Sequence, residues 1–262
     1  MSSFSKKINK KNCSIKSTLL YLENNLGIKM KNVLITGATK GIGLAISKKL
    51  FQQGYNVIGI ARNESPSFPG TLYIGNLESI SETDKILTSI TEKFEIYAIV
   101  NNVATVYPSN IENVKLDELI KTYDLCVRTS VQIIQRCIPG MKKLKKGKII
   151  NISSIAAYGM ENRISYSSAK SALFGLTRSL AIELGSHDIC INTVVPGLIE
   201  TELLYKYIPR GSEADLKRKS KVLLNKTAEP HEIAALAHFL ISEEGDYITG
   251  QEINIDGGWS IS

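Results

Sequence analysis

Short apolar segments alternate with longer amphipathic segments along the chain, from residue 31 to residue 255. Short continuous apolar runs are typical of buried strands, and an apolar period of roughly 3.6 residues is typical of helices. The pattern predicts strands at 31–36, 55–61, 71–74, 96–100, 148–152, 189–195 and 251–255. Regular alternation of strand and helix predicts an α/β fold, with a doubly wound parallel sheet in a single domain.

The intervening segments predict helices at 44–53, 79–94, 166–184 and 230–240. Residues 114–144 have room for one or two helices, and Pro139 and Gly140 predict a break there, because proline cannot donate the helical hydrogen bond. Residues 202–224 are polar and show no recognisable chemistry. We expect them to form a mobile insert that shapes a binding pocket.

Residues 1–29 differ in composition from the rest of the chain. They are polar and rich in lysine, with little to bury, so we predict a disordered basic extension followed by one folded domain over residues 30–262. Met30 directly precedes the first strand, as a start residue would. The extension is therefore either dispensable or the product of a misassigned start.

The formal net charge is +7, and part of it comes from the basic stretch at residues 142–148. This stretch is either a solvated helix end or a landing surface for an acidic partner such as acyl-carrier protein. We expect no nucleic-acid partner, because no aromatic-rich basic platform accompanies the charge.

Cysteine and histidine usage argues against a metal site. The four cysteines form no Cys-x-x-Cys pair, and there are three histidines, so a structural zinc site is not expected. Scattered cysteines without a signal peptide predict a reducing, cytoplasmic setting. No apolar run is long enough to span a bilayer, so no membrane association is expected.

A glycine-rich turn joins the first strand to the first helix, in the order Gly37-Ala-Thr-Lys-Gly-Ile-Gly43. Glycines let the backbone approach a pyrophosphate, and the helix N-terminus offers free N–H groups and a positive dipole end. Glycines also occur in ordinary tight turns. The position between a clear strand and a clear helix favours a nucleotide site.

The end of the second predicted strand bears on the choice of nucleotide. An acidic residue there would bind the ribose hydroxyls of NAD and repel a 2′-phosphate. This chain has Arg62-Asn63 instead. Arg62 and Lys40 could flank a 2′-phosphate, or both could be solvated surface residues. We favour NADP(H) as the cofactor.

Tyr166 and Lys170 lie four residues apart, at the start of a predicted helix, after a polar loop that holds Ser153 and Ser154. This spacing places the phenol and the ammonium on one helix face. A nearby cation favours the phenolate, and a serine hydroxyl could hold a substrate oxygen beside it. Alone, such a pair is usually a solvated helix face.

From about residue 30 to residue 262 the chain resembles the classical short-chain dehydrogenases/reductases (SDRs), most closely the 3-oxoacyl-(acyl-carrier-protein) reductase type. The motifs occur in the order Thr36–Gly43, Asn101–Ala104, Ser153-Ser154, Tyr166–Lys170, Asn192 with Pro196-Gly197 and Thr201, and Asp256–Gly258. The resemblance implies a Rossmann-like fold, a homotetramer or homodimer, and a role in fatty acid biosynthesis.

The resemblance also implies residue roles. Tyr166 would be the general acid, Lys170 would favour its ionised form and hold the nicotinamide ribose, and Ser154 rather than Ser153 would bind the substrate oxygen. Tyr166 and Lys170 would also contact the cofactor, together with Gly37, Thr39, Lys40, Gly41, Ile42, Arg62, Asn76, Leu77, Asn102, Ala104, Pro196, Gly197, Ile199 and Thr201.

Four positions depart from the family pattern. Cys126 stands where an asparagine usually supports a helix bend and a proton-relaying water, and cysteine is a weak donor and acceptor. Val103 and Ala104 replace the usual Ala-Gly, and Asn76 replaces a common aspartate. The catalytic serine, tyrosine and lysine are all present.

Three functions are compatible with this sequence. The first is an NADPH-dependent reductase of a ketone, with a 3-oxoacyl thioester as substrate. The second is a reductase or dehydrogenase of another small alcohol, ketone or sugar in secondary metabolism. The third is a cofactor-binding protein with little activity, to which Cys126 points.

Overall fold

The computed structural model describes residues 30–262, so the basic extension predicted for residues 1–29 lies outside the described residues. The seven strands form one parallel sheet in the order β3-β2-β1-β4-β5-β6-β7. Their bounds are β1 (Asn32–Thr36), β2 (Asn56–Ala61), β3 (Thr71–Ile74), β4 (Ile96–Asn101), β5 (Gly147–Ile152), β6 (Ile189–Pro196) and β7 (Glu252–Ile255). The predicted doubly wound α/β fold is confirmed.

Helices cover both faces of this sheet. Their bounds are α1 (Gly41–Gln52), α2 (Ile80–Thr91), α3 (Leu116–Tyr123), α4 (Thr129–Leu144), α5 (Ile164–Leu184), α6 (Glu202–Tyr207), α7 (Glu213–Lys219) and α8 (Pro230–Ile241). Successive strand residues point to opposite faces. Val33 and Ile35 therefore pack with α1 and α8, while Leu34 packs with α2, α4 and α5.

The strand order reverses at the centre of the sheet. From β1 the chain winds outward to β2 and β3, then returns to place β4 on the other side of β1. The loops that follow β1 and β4 diverge at this point, which in open α/β sheets is where ligands bind. The glycine turn and the Asn101–Ala104 segment are these two loops.

The predicted helix break near Pro139 and Gly140 is wrong. Helix α4 continues through both residues, and Pro139 lies on its exposed side, where solvent can hydrate the carbonyl that loses its N–H partner. The irregularity lies earlier, where a π-helical turn at Asp124–Arg128 joins α3 to α4.

The segment 202–224, predicted as an insert without recognisable chemistry, contains the short helices α6 and α7. Thr201 caps α6 by accepting a hydrogen bond from the Leu204 N–H, and Ser212 caps α7 through the Asp215 N–H. These side-chain caps stabilise the first turns of both short helices.

The basic stretch at residues 142–148 is not one surface. Lys142, Lys143 and Lys145 are exposed, but Lys148 lies inside β5 and is 1% exposed. Its ammonium is 2.7 Å from Asp246 Oδ1. Strand alternation turns Lys148 into the protein, so it contributes nothing to a basic landing surface.

Within residues 30–262, no helix combines the length and apolar character needed to cross a membrane. In the same residues, no group of three or more histidine, cysteine, aspartate or glutamate side chains could hold a metal ion.

Candidate active site

Two connected cavities lie at the carboxyl edge of the sheet. The larger, of about 600 Å³, runs along the ends of β1, β2 and β3 and the start of α1. The smaller, of about 180 Å³, lies beside the ends of β5 and β6 and the start of α5. Their shared lining is formed by Ile42, Asn102, Ala104, Thr201 and Leu203. A ligand in the larger cavity can therefore reach a second ligand in the smaller one.

The glycine turn forms one wall of the larger cavity. Gly37 and Gly41 have φ angles of +63° and +49°, which side chains rarely adopt. A Cβ atom on Gly43 would lie 2.3 Å from the Gly37 carbonyl oxygen. No side chain caps the first turn of α1, so its N–H groups are available to an anionic ligand.

The loop after β4 is tied to this turn. The backbone N–H groups of Asn102 and Val103 both donate to Thr36 Oγ1, at 3.0 and 3.1 Å. The Asn102 side chain donates to the Thr36 carbonyl oxygen at 3.0 Å. Ala104, which replaces the family's usual glycine, is thereby held at the junction of the two cavities.

Two cations stand at the outer end of the larger cavity. Arg62 follows β2, and Lys40 precedes α1; both are exposed. Lys40 forms an ion pair with Glu202 of α6 at 2.8 Å, which the sequence analysis did not anticipate. Among the described residues Arg62 has no such carboxylate partner, so it is free to bind an anion.

Ser154, Tyr166 and Lys170 all line the smaller cavity. Lys170 is 2% exposed. Its ammonium donates to the Ile152 carbonyl oxygen at 2.7 Å and lies 5.7 Å from the centroid of the Tyr166 ring. Helix α5 therefore holds the Tyr166 phenol and the Lys170 ammonium on one face, and the hydrogen bond to Ile152 at the end of β5 fixes the position of the ammonium.

The two neighbouring serines differ in their surroundings. Ser153 is 3% exposed, and its hydroxyl donates to the Lys170 carbonyl oxygen at 2.9 Å. Ser154 is half-buried, and within residues 30–262 its hydroxyl accepts a hydrogen bond from the Ala156 N–H alone, at 3.2 Å, at the start of a 3₁₀ turn. The Ser154 hydroxyl can therefore still donate to a ligand, which favours it over Ser153.

Cys126 lies in the π-helical turn and is 1% exposed. Its carbonyl oxygen accepts a hydrogen bond from Ser130 Oγ at 2.8 Å, and the turn packs against α5. π-helical turns are frequent at functional sites. The widened turn thus forms with cysteine at the position where the family usually has asparagine.

Sequence reasoning missed Arg128, which supports the loop after β3. Its guanidinium donates to Asp124 Oδ1 at 2.7 Å and to the Leu77 carbonyl oxygen at 2.8 Å. Leu77 lines the larger cavity. The i,i+4 spacing of Asp124 and Arg128 could have suggested their ion pair, but the bond to Leu77 spans 51 residues of sequence.

Sequence reasoning also missed Arg163 and Arg218, which both line the smaller cavity. Arg163 lies just before α5, and Arg218 lies in α7. No local signal identifies either residue, because the segments that carry them meet only in the folded chain.

All residues predicted to contact a cofactor line one cavity or the other. The larger cavity is lined by Gly37, Thr39, Lys40, Gly41, Ile42, Arg62, Asn76, Leu77, Asn102 and Ala104. The smaller cavity is lined by Tyr166, Lys170, Pro196, Gly197, Ile199 and Thr201. A Cβ atom on Gly197 would lie 2.6 Å from Asp256 Cα, so the loop after β6 packs tightly on the loop after β7.

Comparisons with known proteins agree with this architecture. The sequence profile described as Enoyl-(Acyl carrier protein) reductase matches residues 37–260. The 3-oxoacyl-(acyl-carrier-protein) reductase FabG of Buchnera aphidicola is 32% identical over 248 residues, which cover 89% of this chain and 98% of FabG. Human dehydrogenase/reductase SDR family member 4 is 31% identical over 244 residues, or 87% of each chain. The crystal structure of YwfH, an NADPH-dependent reductase involved in bacilysin biosynthesis, is 25% identical with a TM-score of 0.81, covering 89% of this chain and 100% of YwfH.

Proposed function

The chain belongs to the short-chain dehydrogenase/reductase family, and we propose that it is an NADP(H)-dependent oxidoreductase that reduces a ketone to a secondary alcohol. One observation carries the proposal: Ser154, Tyr166 and Lys170 line a single cavity that opens into the groove beside the glycine turn. A substrate carbonyl in the smaller cavity would thus meet both these side chains and a cofactor in the larger one.

The larger cavity fits a dinucleotide phosphate. Its wall includes the uncapped N-terminus of α1, and Gly37 and Gly41, which have positive φ angles, add no side chain to that wall. Arg62 and Lys40 would bind the 2′-phosphate that distinguishes NADP from NAD. Bound NADPH supplies the hydride. YwfH and FabG, to which the chain is similar, are named as reductases, and YwfH as an NADPH-dependent one.

Three side chains of the smaller cavity would share the remaining catalytic steps. Ser154 would donate a hydrogen bond to the substrate carbonyl oxygen and hold it beside the phenol. Tyr166 would give its proton to the same oxygen as the alcohol forms. The Lys170 ammonium, buried next to the phenol ring, would stabilise the phenolate that remains.

A 3-oxoacyl thioester is the first candidate substrate, within fatty acid biosynthesis. The support is the similarity to the FabG reductases, one of which is 32% identical. The exposed lysines at the end of α4, Lys142, Lys143 and Lys145, would suit an acidic carrier protein.

A small alcohol, ketone or sugar is the second candidate substrate class. The smaller cavity has a volume of about 180 Å³, whereas sites for drug-sized ligands typically measure about 300–1,000 Å³. A compact substrate fits this space better than a long acyl chain.

The test is NADPH oxidation by the purified chain with ketones and 3-oxoacyl thioesters, followed by absorbance of the nicotinamide band. Tyr166→Phe should lower kcat by about 10²–10⁴-fold, the usual contribution of a general acid, while NADPH affinity stays nearly unchanged. Tyr247→Phe, at a fully exposed tyrosine, is the matched control and should change neither quantity.

Two outcomes would contradict the proposal. Full activity of Tyr166→Phe would remove Tyr166 from the mechanism. Tight NADPH binding without turnover of any carbonyl compound would instead favour a cofactor-binding protein with little activity.

We also propose that the chain assembles into a homotetramer or homodimer. Leu116, Ile120 and Tyr123 recur at helical spacing on α3 and are 72%, 64% and 42% exposed. An exposed apolar stripe on an amphipathic helix is typical of a surface that is covered in an assembly.

A further inference from the structure

The smaller cavity contains more positive charge than the proposed reduction needs. Its lining includes the cations Arg163, Lys170 and Arg218, and no aspartate or glutamate of residues 30–262 lines it. Lys170 already has a role beside Tyr166. The two arginines have none, and otherwise the lining is largely apolar.

Arg163 is buried at the start of α5, three residues before Tyr166. It is 9% exposed, and one NH1 group donates to the Asn162 carbonyl oxygen at 2.8 Å. Its guanidinium carbon lies 5.8 Å from the centroid of the Tyr207 ring. Burial lowers the pKa of the Arg163 guanidinium below its usual value, yet a guanidinium remains charged at neutral pH.

Arg218 reaches the same cavity from α7 and is half-buried. The nearest carboxylate on its own helix, Asp215, is already bound by the Lys219 ammonium at 2.9 Å and the Gly211 N–H at 2.8 Å. Burial, and then the charge of Arg163, lower the pKa of the Arg218 guanidinium. Arg163 and Arg218 line the same cavity of about 180 Å³, so two like charges border one small space.

Two partly desolvated guanidinium groups without a counter-charge are costly. Within the described part of the chain, Arg163 and Arg218 form no ion pair with a carboxylate. Each guanidinium offers up to five N–H donors in a planar fork that matches carboxylate and phosphate oxygens. An oxyanion between them would supply the missing negative charge and use the free donors.

We propose that the carbonyl substrate carries a small oxyanion, a carboxylate or a phosphate, which binds Arg163 and Arg218 while the ketone lies at Tyr166. This inference rests on the proposed ketone reduction and refines its substrate class. A neutral 3-oxoacyl chain would leave both arginines without a partner, so the compact second class of substrate is favoured.

The experiment compares substrates that differ only in the oxyanion. NADPH oxidation is measured with 4-oxopentanoate against its methyl ester, and with dihydroxyacetone phosphate against dihydroxyacetone. In at least one pair the anion should have a kcat/KM about tenfold or more above its neutral partner, the range expected of charge-assisted hydrogen bonds. The preferred pair distinguishes a carboxylate from a phosphate.

Substitutions then locate the effect. Arg163→Gln and Arg218→Gln should each raise the KM for the preferred anion by about tenfold to a hundredfold, with a smaller change in kcat, and leave the neutral partner within about threefold. Arg163→Lys keeps the charge and should retain part of the preference. Arg136→Gln, at an arginine that pairs with Asp84 outside both cavities, is the control and should change nothing.

The inference is overturned if neutral partners react as efficiently as anions, or if both glutamine variants keep the wild-type preference. If no ketone oxidises NADPH, the proposed reduction fails separately. Calorimetric titration of 4-oxopentanoate and of dihydroxyacetone phosphate into the NADP⁺-saturated protein then decides the question. Binding that is lost in Arg218→Gln supports the oxyanion site, and absence of binding to wild type refutes it.

Discussion

We expect the ion pair between Lys148 and Asp246 to contribute substantially to the free energy of unfolding. Lys148 is 1% exposed within β5, and its ammonium lies 2.7 Å from Asp246 Oδ1. Lys146, which is one third exposed, binds the other oxygen of the same carboxylate at 2.8 Å. Asp246→Asn would remove the negative charge and leave the buried Lys148 ammonium without compensation.

The size of the effect follows from the geometry. At 2.7 Å and an effective dielectric constant of about 20, opposite unit charges attract by about 6 kcal/mol, before the cost of desolvation. Breaking a buried pair typically costs about 3–5 kcal/mol. The Asp246 side chain is 36% exposed, and asparagine keeps one oxygen acceptor. We therefore expect Asp246→Asn to lower the free energy of unfolding by about 3 kcal/mol.

Urea denaturation measures this loss as a lower unfolding midpoint at an unchanged m-value. Lys148→Met removes the buried charge together with its desolvation cost, and should therefore change the free energy of unfolding by less than about 1.5 kcal/mol. Lys146→Met tests the more exposed partner and should cost less than about 1 kcal/mol. Two results would refute the reasoning. One is an equal unfolding midpoint for wild type and Asp246→Asn; the other is a decrease in the free energy of unfolding of Lys148→Met as large as that of Asp246→Asn.

The effect should also depend on pH. Hydrogen bonds from Lys146 and then Lys148 hold the pKa of the Asp246 carboxyl below its usual value of 3.8. A depressed carboxyl pKa contributes stability that is complete above the pKa of the unfolded chain and is lost as the pH falls through the folded value. The difference between wild type and Asp246→Asn should thus be constant at neutral pH and shrink below about pH 4.

Three further predictions concern the cofactor, the helix turn and assembly. Arg62→Ala should raise the dissociation constant of NADPH by about tenfold to a hundredfold in a fluorescence titration and leave that of NADH nearly unchanged, because the guanidinium would bind only the 2′-phosphate; equal losses would contradict the cofactor assignment. Cys126→Asn should give an equal or higher kcat, since asparagine is the better hydrogen-bonding residue; a large loss would show that Cys126 has its own role. Ile120→Glu, at a position 64% exposed, should reduce the molecular mass seen by light scattering without unfolding the chain; an unchanged mass would place the interface elsewhere.

Local patterns predicted most of the sheet correctly. The strand at 71–74 has the bounds of β3, and the other strands differ at their ends by a residue. Buried parallel strands are continuous apolar runs, so the pattern is visible without tertiary information. The prediction at Pro139 failed because propensity describes an isolated helix, whereas α4 keeps Pro139 on a solvated face.

Some features of the candidate site could likewise be predicted from neighbouring residues, and others could not. Tyr166 and Lys170 share a helix face, and the glycine turn lies within one strand–turn–helix unit, so their placement depends on neighbouring residues. The bond between Arg128 and Leu77 joins residues that are distant in sequence. Such contacts depend on how α4 packs over the loop after β3, which no local period encodes.

The sequence by itself determined the order of strands and helices, the glycine turn and the tyrosine–lysine pair, because each depends on backbone geometry over a few residues. Only the tertiary structure decided which charges are buried and what they meet. Lys148 looks like one of several surface lysines until β5 turns it toward Asp246. Arg163 and Arg218 become neighbours of one cavity only in the folded chain, where α7 and the residue before α5 both contribute to the lining of the smaller cavity. Burial and charge pairing depend on the whole packed fold, and these two properties lead to the proposed substrate class.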